Sequence, residues 1–236
     1  MRKFLLWCIF LGITISSIGQ SRFGYGISVY PNFSGARLIS FGNISERQIQ
    51  EINDREIWKF SYAGGIFANW RSEKLGFQVG LNYMNSGYQT IRDTVPTAAP
   101  NPRNAEDWRF IYQSNYIEVP VDLQFFQELE RGSEFFFMLG ASFSYNLNNR
   151  VDTIFYFGDS ETSEQEDQEN SEYNGLNFAF QFALGWEKAL GDNFALIIQP
   201  TFQFWFRGLL KDNTFNRSLY SLGLRVAFKF KQPEFR

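Results

Sequence analysis

Histidine is absent from this chain of 236 residues. That removes the side chain most often used as a general base and as a metal ligand near neutral pH. Cysteine occurs once, as Cys8, so no intramolecular disulfide can form. Long apolar runs are missing too. Beyond the N-terminus no stretch reaches the about 20 apolar residues that a membrane helix needs, and the mean hydropathy is −0.29. Net charge is small, 22 basic residues against 25 acidic, with no basic stripe of the kind that binds nucleic acid. What the chain has in abundance is aromatic side chains: 19% of residues, 28 of them phenylalanine. High aromatic content without long apolar runs suits strands in which every second residue is polar.

The first residues read as a secretory signal. Arg2 and Lys3 are the positive region, residues 4–15 the apolar one, and Ser17 and Gly19 the small residues before a cleavage site at Gln20. Residues 1–19 are therefore expected to be the signal peptide and residues 20–236 one domain. Cys8 lies inside the apolar region and would leave with it. Without Arg2 and Lys3 the count falls from 22 to 20 basic residues, and the charge becomes −5.

Period-two alternation then recurs eight times. The strands expected cover residues 23–33, 58–70, 75–83, a fourth ending at 125, 135–147, 176–186, 194–206 and 220–230. In the first, Phe23, Tyr25, Ile27, Val29 and Phe33 share one face; Gly24, Gly26, Ser28, Tyr30 and Asn32 share the other. Across all eight, the apolar face carries no Asp, Glu, Lys or Arg. The opposite face carries Lys59, Glu118, Asp122, Arg225 and Lys229 among Gly, Ser, Asn and Gln. A charge facing the middle of a bilayer costs about 2–4 kcal/mol, so a face this clean is expected to meet lipid. In a soluble barrel the outer face would instead be rich in Lys and Glu.

The connections alternate in length. Residues 71–74, 127–133 and 189–193 are short; residues 34–57, 84–107, 148–175 and 208–217 are long. An up-and-down barrel of outer-membrane type has this pattern, with short turns periplasmic and long loops outside. The expected fold is all-β: an eight-stranded antiparallel transmembrane barrel with both termini periplasmic.

The fourth strand contains Asn115-Tyr116-Ile117-Glu118-Val119-Pro120-Val121. A Tyr-apolar-Glu-apolar-Pro-apolar strand in a signal-bearing chain of this size resembles the PorT-like outer-membrane β-barrel family of Bacteroidota. The resemblance covers residues 21–230 and rests on Tyr116, Glu118 and Pro120. It implies an eight-stranded outer-membrane barrel and, from the family's namesake, an accessory part in a secretion system that crosses that membrane.

Four further features bear on function. Glu118 and Asp122 lie four apart on the inward face, either as an acid pair or as structural carboxylates held by Arg225 and Lys229, since buried charges are normally paired. Counting from the strand ends puts Arg225 level with the gap between the two carboxylates, so a bridge to one of them is expected. The segment 152–172 holds eight acids without the spacing or turn glycine of a calcium loop, and reads as a solvated loop. Ser45 and Gln48 form a capping box, with Ile44 and Ile49 as a hydrophobic staple, so a helix is expected in the first long loop. Asp93-Thr94-Val95 and Asp152-Thr153-Ile154 resemble the O-glycosylation pattern of exported Bacteroidota proteins, which makes Thr94 and Thr153 candidate acceptors.

Eight strands leave an interior just wide enough for side chains, and Tyr30, Phe67, Phe136, Met138 and Trp205 are expected to fill it. That argues against a porin. Without histidine the chain has no ordinary hydrolytic site, although an acid-only site at Glu118 and Asp122 stays open. No cofactor and no metal site are called for. The favoured expectation is a non-enzymatic accessory barrel, embedded in outer-membrane lipid, that meets other outer-membrane or secreted proteins through residues 34–57 and 148–175. The alternatives are a small channel or a ligand-binding barrel.

Overall fold

The computed structural model describes residues 22–39, 45–96, 104–130, 132–211 and 216–231. The signal segment, the cleavage site and Ile44 of the staple lie outside the described residues. Among the described residues, eleven strands and one α-helix follow in order, with a 3-10 turn at Asn170–Glu172: β1 (Arg22–Ile39), α1 (Glu46–Arg55), β2 (Glu56–Ile57), β3 (Lys59–Arg71), β4 (Leu75–Thr90), β5 (Asp93–Thr94), β6 (Asp107–Glu130), β7 (Ser133–Phe157), β8 (Ser160–Gln168), β9 (Leu176–Ala189), β10 (Phe194–Trp205) and β11 (Asn216–Lys231). No helix among the described residues is long and apolar enough to cross a membrane.

Eight of the strands pair antiparallel in sequence order, β1-β3-β4-β6-β7-β9-β10-β11, and β11 pairs back onto β1. The sheet is a closed barrel. The other three are additions outside the ring: β2 on β4, β5 on β6 and β8 on β7.

The register fixes the barrel's shape. From Asn69, the partner row runs Gln78, Asp122, Gly140, Gln181, Gln203, Ser221, Ser34 and returns to β3 at Lys59. The stagger is 69 minus 59, or ten residues over eight strands. At about 3.3 Å per residue and about 4.8 Å between strands, this sets a tilt of about 40° and a backbone-to-backbone width of about 16 Å.

Alternation divides the residues cleanly. Outward positions such as Ile27, Phe60, Ile66, Leu81, Phe143 and Leu184 are exposed, while the inward positions between them are buried. Along β7 the outward band runs from Phe135 to Tyr145. Ten tilted steps rise about 25 Å, the height of the apolar band on outer-membrane barrels. Aromatic residues gather at both of its rims: Tyr25, Trp70, Phe194 and Phe230 near the short turns, Trp58, Phe60, Tyr145 and Tyr220 near the long loops. On the lipid side, Gly26 and Gly80 border an apolar dent of about 500 Å³ between Tyr25, Ile66 and Leu81.

The strands outrun the sequence expectation at the long-loop end. β6 begins at Asp107 and β7 continues to Phe157, and the acidic segment read as a solvated loop is in large part a strand, β8, paired with β7 from Asn149↔Gln168 to Phe157↔Ser160. The pattern hides this because a register shift between Asn115 and Tyr116 inserts an extra residue on β7, so Asn146 and Asn149 both face inward. A bulge of this kind flips the alternation. The expected helix is present as α1, with Ser45 as its N-cap and the reciprocal Ser45–Gln48 box formed.

Candidate functional site

The inward faces stack into layers. Nearest the short turns lies a disc of charges. Lys229 Nζ meets Glu187 Oε2 at 2.5 Å and Lys231 Nζ lies 3.6 Å from Oε1. Arg71 grips Glu134 with both terminal nitrogens, while its guanidinium lies 3.8 Å over the ring of Phe126. Above this disc, Phe67, Phe126, Phe136, Met138, Ala183, Ile197 and Ala227 form an apolar layer.

The middle of the barrel is polar and holds both inward carboxylates of β6. Gln181 Nε2 donates to Asp122 Oδ1 (2.5 Å) and Gln78 Nε2 to its Oδ2 (3.5 Å). Gln203 Nε2 donates to Glu118 Oε1 and to Ser142 Oγ, and Asn82 Nδ2 donates to Glu118 Oε2 (3.2 Å). Beside them the Tyr30 hydroxyl donates to the Thr201 carbonyl (2.9 Å). Amide side chains, neutral and one to three strands away, thus satisfy both carboxylates.

The expected bridge from Arg225 to Glu118 or Asp122 is not formed. The stagger lifts each step round the ring by about one and a quarter residues. Four steps from Asp122 lead to Ser221, so Arg225 does stand between the levels of Asp122 and Glu118. Width decides the matter. β6 and β11 face each other across about 16 Å, too far for a short aspartate and an arginine, so the amides of nearer strands reach first. Arg225 rests instead 5.2 Å from the centre of the Tyr30 ring, and among the described residues it makes no hydrogen bond or ion pair. Lys229 likewise does not serve Glu118 or Asp122. Its partner is Glu187, two strands away, which the sequence reading missed. Parity could have found it: Glu187 follows the outward Trp186 and is the one acid on the inward face of β9.

A second apolar layer closes the long-loop side, built by Tyr30, Met84, Tyr116, Trp205 and Leu219 among others. Of the motif residues, Tyr116 belongs to this layer, and Glu118 to the polar middle. Pro120 explains a gap in the ladder. β4 and β6 pair on either side of Gly80–Leu81 and Val119–Pro120 but not there, since proline has no N–H to give. Gly80, whose absent Cβ would lie 3.0 Å from Pro120 Cγ, leaves room for the ring. Gly140 does the same for Asp122, since a Cβ there would strike the carboxylate and the Val121 carbonyl. Gly140→Ala is therefore expected to break the Gln181–Asp122 contact and lower the temperature at which the folded barrel loses its fast mobility in electrophoresis. Gly175→Ala, in open space and without a positive φ, should leave that temperature within a few degrees of native; a fall as large as that of Gly140→Ala would refute this account.

Beyond the barrel rim, β4, β6, β7 and β8 continue as a sheet. Tyr88 and Tyr112 stack at 4.6 Å, and Arg217 pairs with Glu56 at 2.8 Å beside them. Burial pushes the Glu56 carboxyl above its usual range, with Arg217 opposing the shift. Asp152 accepts from Gln113 (2.5 Å) and pairs with Arg150 (3.0 Å). Helix α1 is tied to β1 where the Leu38 N–H donates to Asn53 Oδ1 (2.8 Å), and Ile49 and Ile52 are both half-buried. Thr94 is exposed on β5, whereas Thr153 is half-buried on β7 between Phe110 and Glu164. Among the described residues no three acidic side chains converge as a metal would need.

Three solved structures are similar to this chain at low identity. Neisserial surface protein A is 14% identical with a TM-score of 0.38, covering 85% of this chain and 95% of that one. Ail, the attachment invasion locus protein of Yersinia pestis, is 12% identical with a TM-score of 0.34, covering 88% and 98%. The outer membrane protease OmpT from Escherichia coli is 8% identical with a TM-score of 0.42, covering 91% and 98%. No curated protein matches the sequence closely enough to count as a relative. Residues 17–209 match the family model described as an outer membrane protein beta-barrel domain. With an apolar belt outside, a closed ring of eight strands and that match over most of its length, the chain belongs to the outer membrane protein β-barrel domain family, and its outward face sits in the lipid of the outer membrane.

Proposed function

We propose that the chain is a non-enzymatic accessory subunit that works through the sheet and loops beyond its long-loop rim. The observation that carries this reading is the filling of the lumen. Two apolar layers enclose the polar middle, so Glu118 and Asp122 have no open route to a substrate, while an ordered sheet stands clear of the barrel. In this reading the short turns and both chain termini lie in the periplasm, and residues 34–57 and 148–175 outside. The Tyr116, Glu118 and Pro120 motif, with its resemblance to the PorT-like family of Bacteroidota, supports a post beside a secretion assembly in the outer membrane.

Two measurements test this. Ser163→Cys, in β8, should be labelled on whole cells by a membrane-impermeant maleimide, and Ser72→Cys, in a short turn, should not. The reverse pattern inverts the orientation. Mild detergent extraction should then recover the protein in a stable complex with other outer-membrane or secreted proteins; a lone monomer after cross-linking in cells would sink the accessory role.

A further inference from the structure

Within the outer sheet, β8 is an edge of an unusual kind. It pairs with β7 over its whole length, and no strand among the described residues lies on its other side. Residues 160–167 are exposed. The platform behind it is firm, because the same stretch of β7 is paired on its far side with β6 from Asp107 to Asn115. The other two strands added outside the ring, β2 and β5, have two residues each, too few to seat a chain. An open edge offers a row of backbone N–H and C=O groups to any extended chain, and proteins usually blunt such edges with charged side chains, Lys above all, with Pro or with bulges. β8 has no proline, glycine, lysine or arginine, and its register with β7 is unbroken.

Its side chains select what may pair there. Glu161 and Asp167 fall at one parity of the strand and Glu166 at the other, so both faces carry acids. A second copy of β8 would set acid against acid, which is destabilising for directly opposed residues. A basic strand would set opposite charges against each other on both faces. We propose that β8 is the docking edge for an extended basic segment of another polypeptide, which adds as a further strand to the outer sheet. Because acids stand at both parities, the segment need not alternate; consecutive basic residues are accepted as well.

This inference rests on the accessory reading, and its test is separate from that of the reading. The probe is a synthetic peptide of the strand's length that mixes lysine with threonine and valine, offered to the purified full-length protein in detergent. The peptide should bind in the presence of a chelator, weaken with salt, and slow amide exchange at alternate residues of 160–168, the pattern of a new ladder. Glu161→Gln/Glu166→Gln/Asp167→Asn keeps the backbone and should bind about tenfold more weakly, as expected from losing a few cross-strand charge pairs. Ser163→Pro should abolish the new protection. No binding, binding without slowed exchange, or unchanged affinity in the triple variant overturns the proposal. A complex recovered from cells carrying the triple variant in undiminished amount would also overturn it, while leaving the accessory role standing.

Discussion

Replacing Glu187 with alanine is expected to destabilise the folded barrel by about 3–5 kcal/mol, the cost of leaving a buried charge without its partner. Glu187 is 2% exposed and, among the described residues, is the one carboxylate in an ion pair with Lys229, itself 5% exposed. Deleting it strands one buried ammonium and releases Lys231. Glu187→Ala/Lys229→Met, which removes both charges and keeps an unbranched apolar chain, should recover much of the loss. Arg225→Ala should cost less than Lys229→Ala, since among the described residues Arg225 has no hydrogen bond or ion pair to lose, only the face of Tyr30 and a through-space attraction to Asp122. Urea unfolding in lipid vesicles, followed by tryptophan fluorescence, ranks the four variants. If Arg225→Ala proves the most damaging, the middle of the lumen, not its charged disc, holds the strands together.

The second large effect lies one layer up. Phe136 is fully buried, tilted against Phe126 with ring centres 5.1 Å apart and pressed against Gly185. Phe136→Ala should cost about 3–5 kcal/mol. Gly185→Ala alone should also be severe, because its Cβ would lie only 2.0 Å from Cζ of the Phe136 ring. Made together, the two changes should cost less than the sum of the separate losses, because the new methyl enters space that the ring has vacated. Additive losses would mean that ring and glycine do not share that space. Phe137→Ala, on the lipid side of the same strand, is the control and should cost far less than Phe136→Ala.

Much of this architecture is legible in the chain because a bilayer imposes one rule on every outward position. A single charge among Ile27, Ile66, Leu81 or Phe143 would have broken the pattern, and none is there. The interior obeys no rule of that strength. Arg225 lies at the height that counting gives, yet the amides of Gln181 and Gln203 reach the carboxylates first, and only the barrel's width shows that. Glu187 has the right parity but no mark that separates it from a solvated acid. The outer sheet was hidden for two reasons. Asn149 falls out of phase after the bulge, and the residues of β8 are polar at both parities, so no alternation announces a strand.

The stagger that tilts the strands also says when the barrel can close. β1 and β11 join through fourteen residue pairs, from Gly24↔Lys231 to Ile39↔Asn216. Every other neighbouring pair in the ring lies close in sequence, so its loop is cheap to close, whereas the seam joins the first strand to the last. Until the last strand arrives, β1 and the growing opposite edge both carry open backbone groups of the kind that draw in foreign strands. Assembly is therefore all-or-nothing at its final step: the ring can form only after the whole chain has been delivered, and an escort that shields those two edges meanwhile would matter more to its yield than any contact inside the finished lumen.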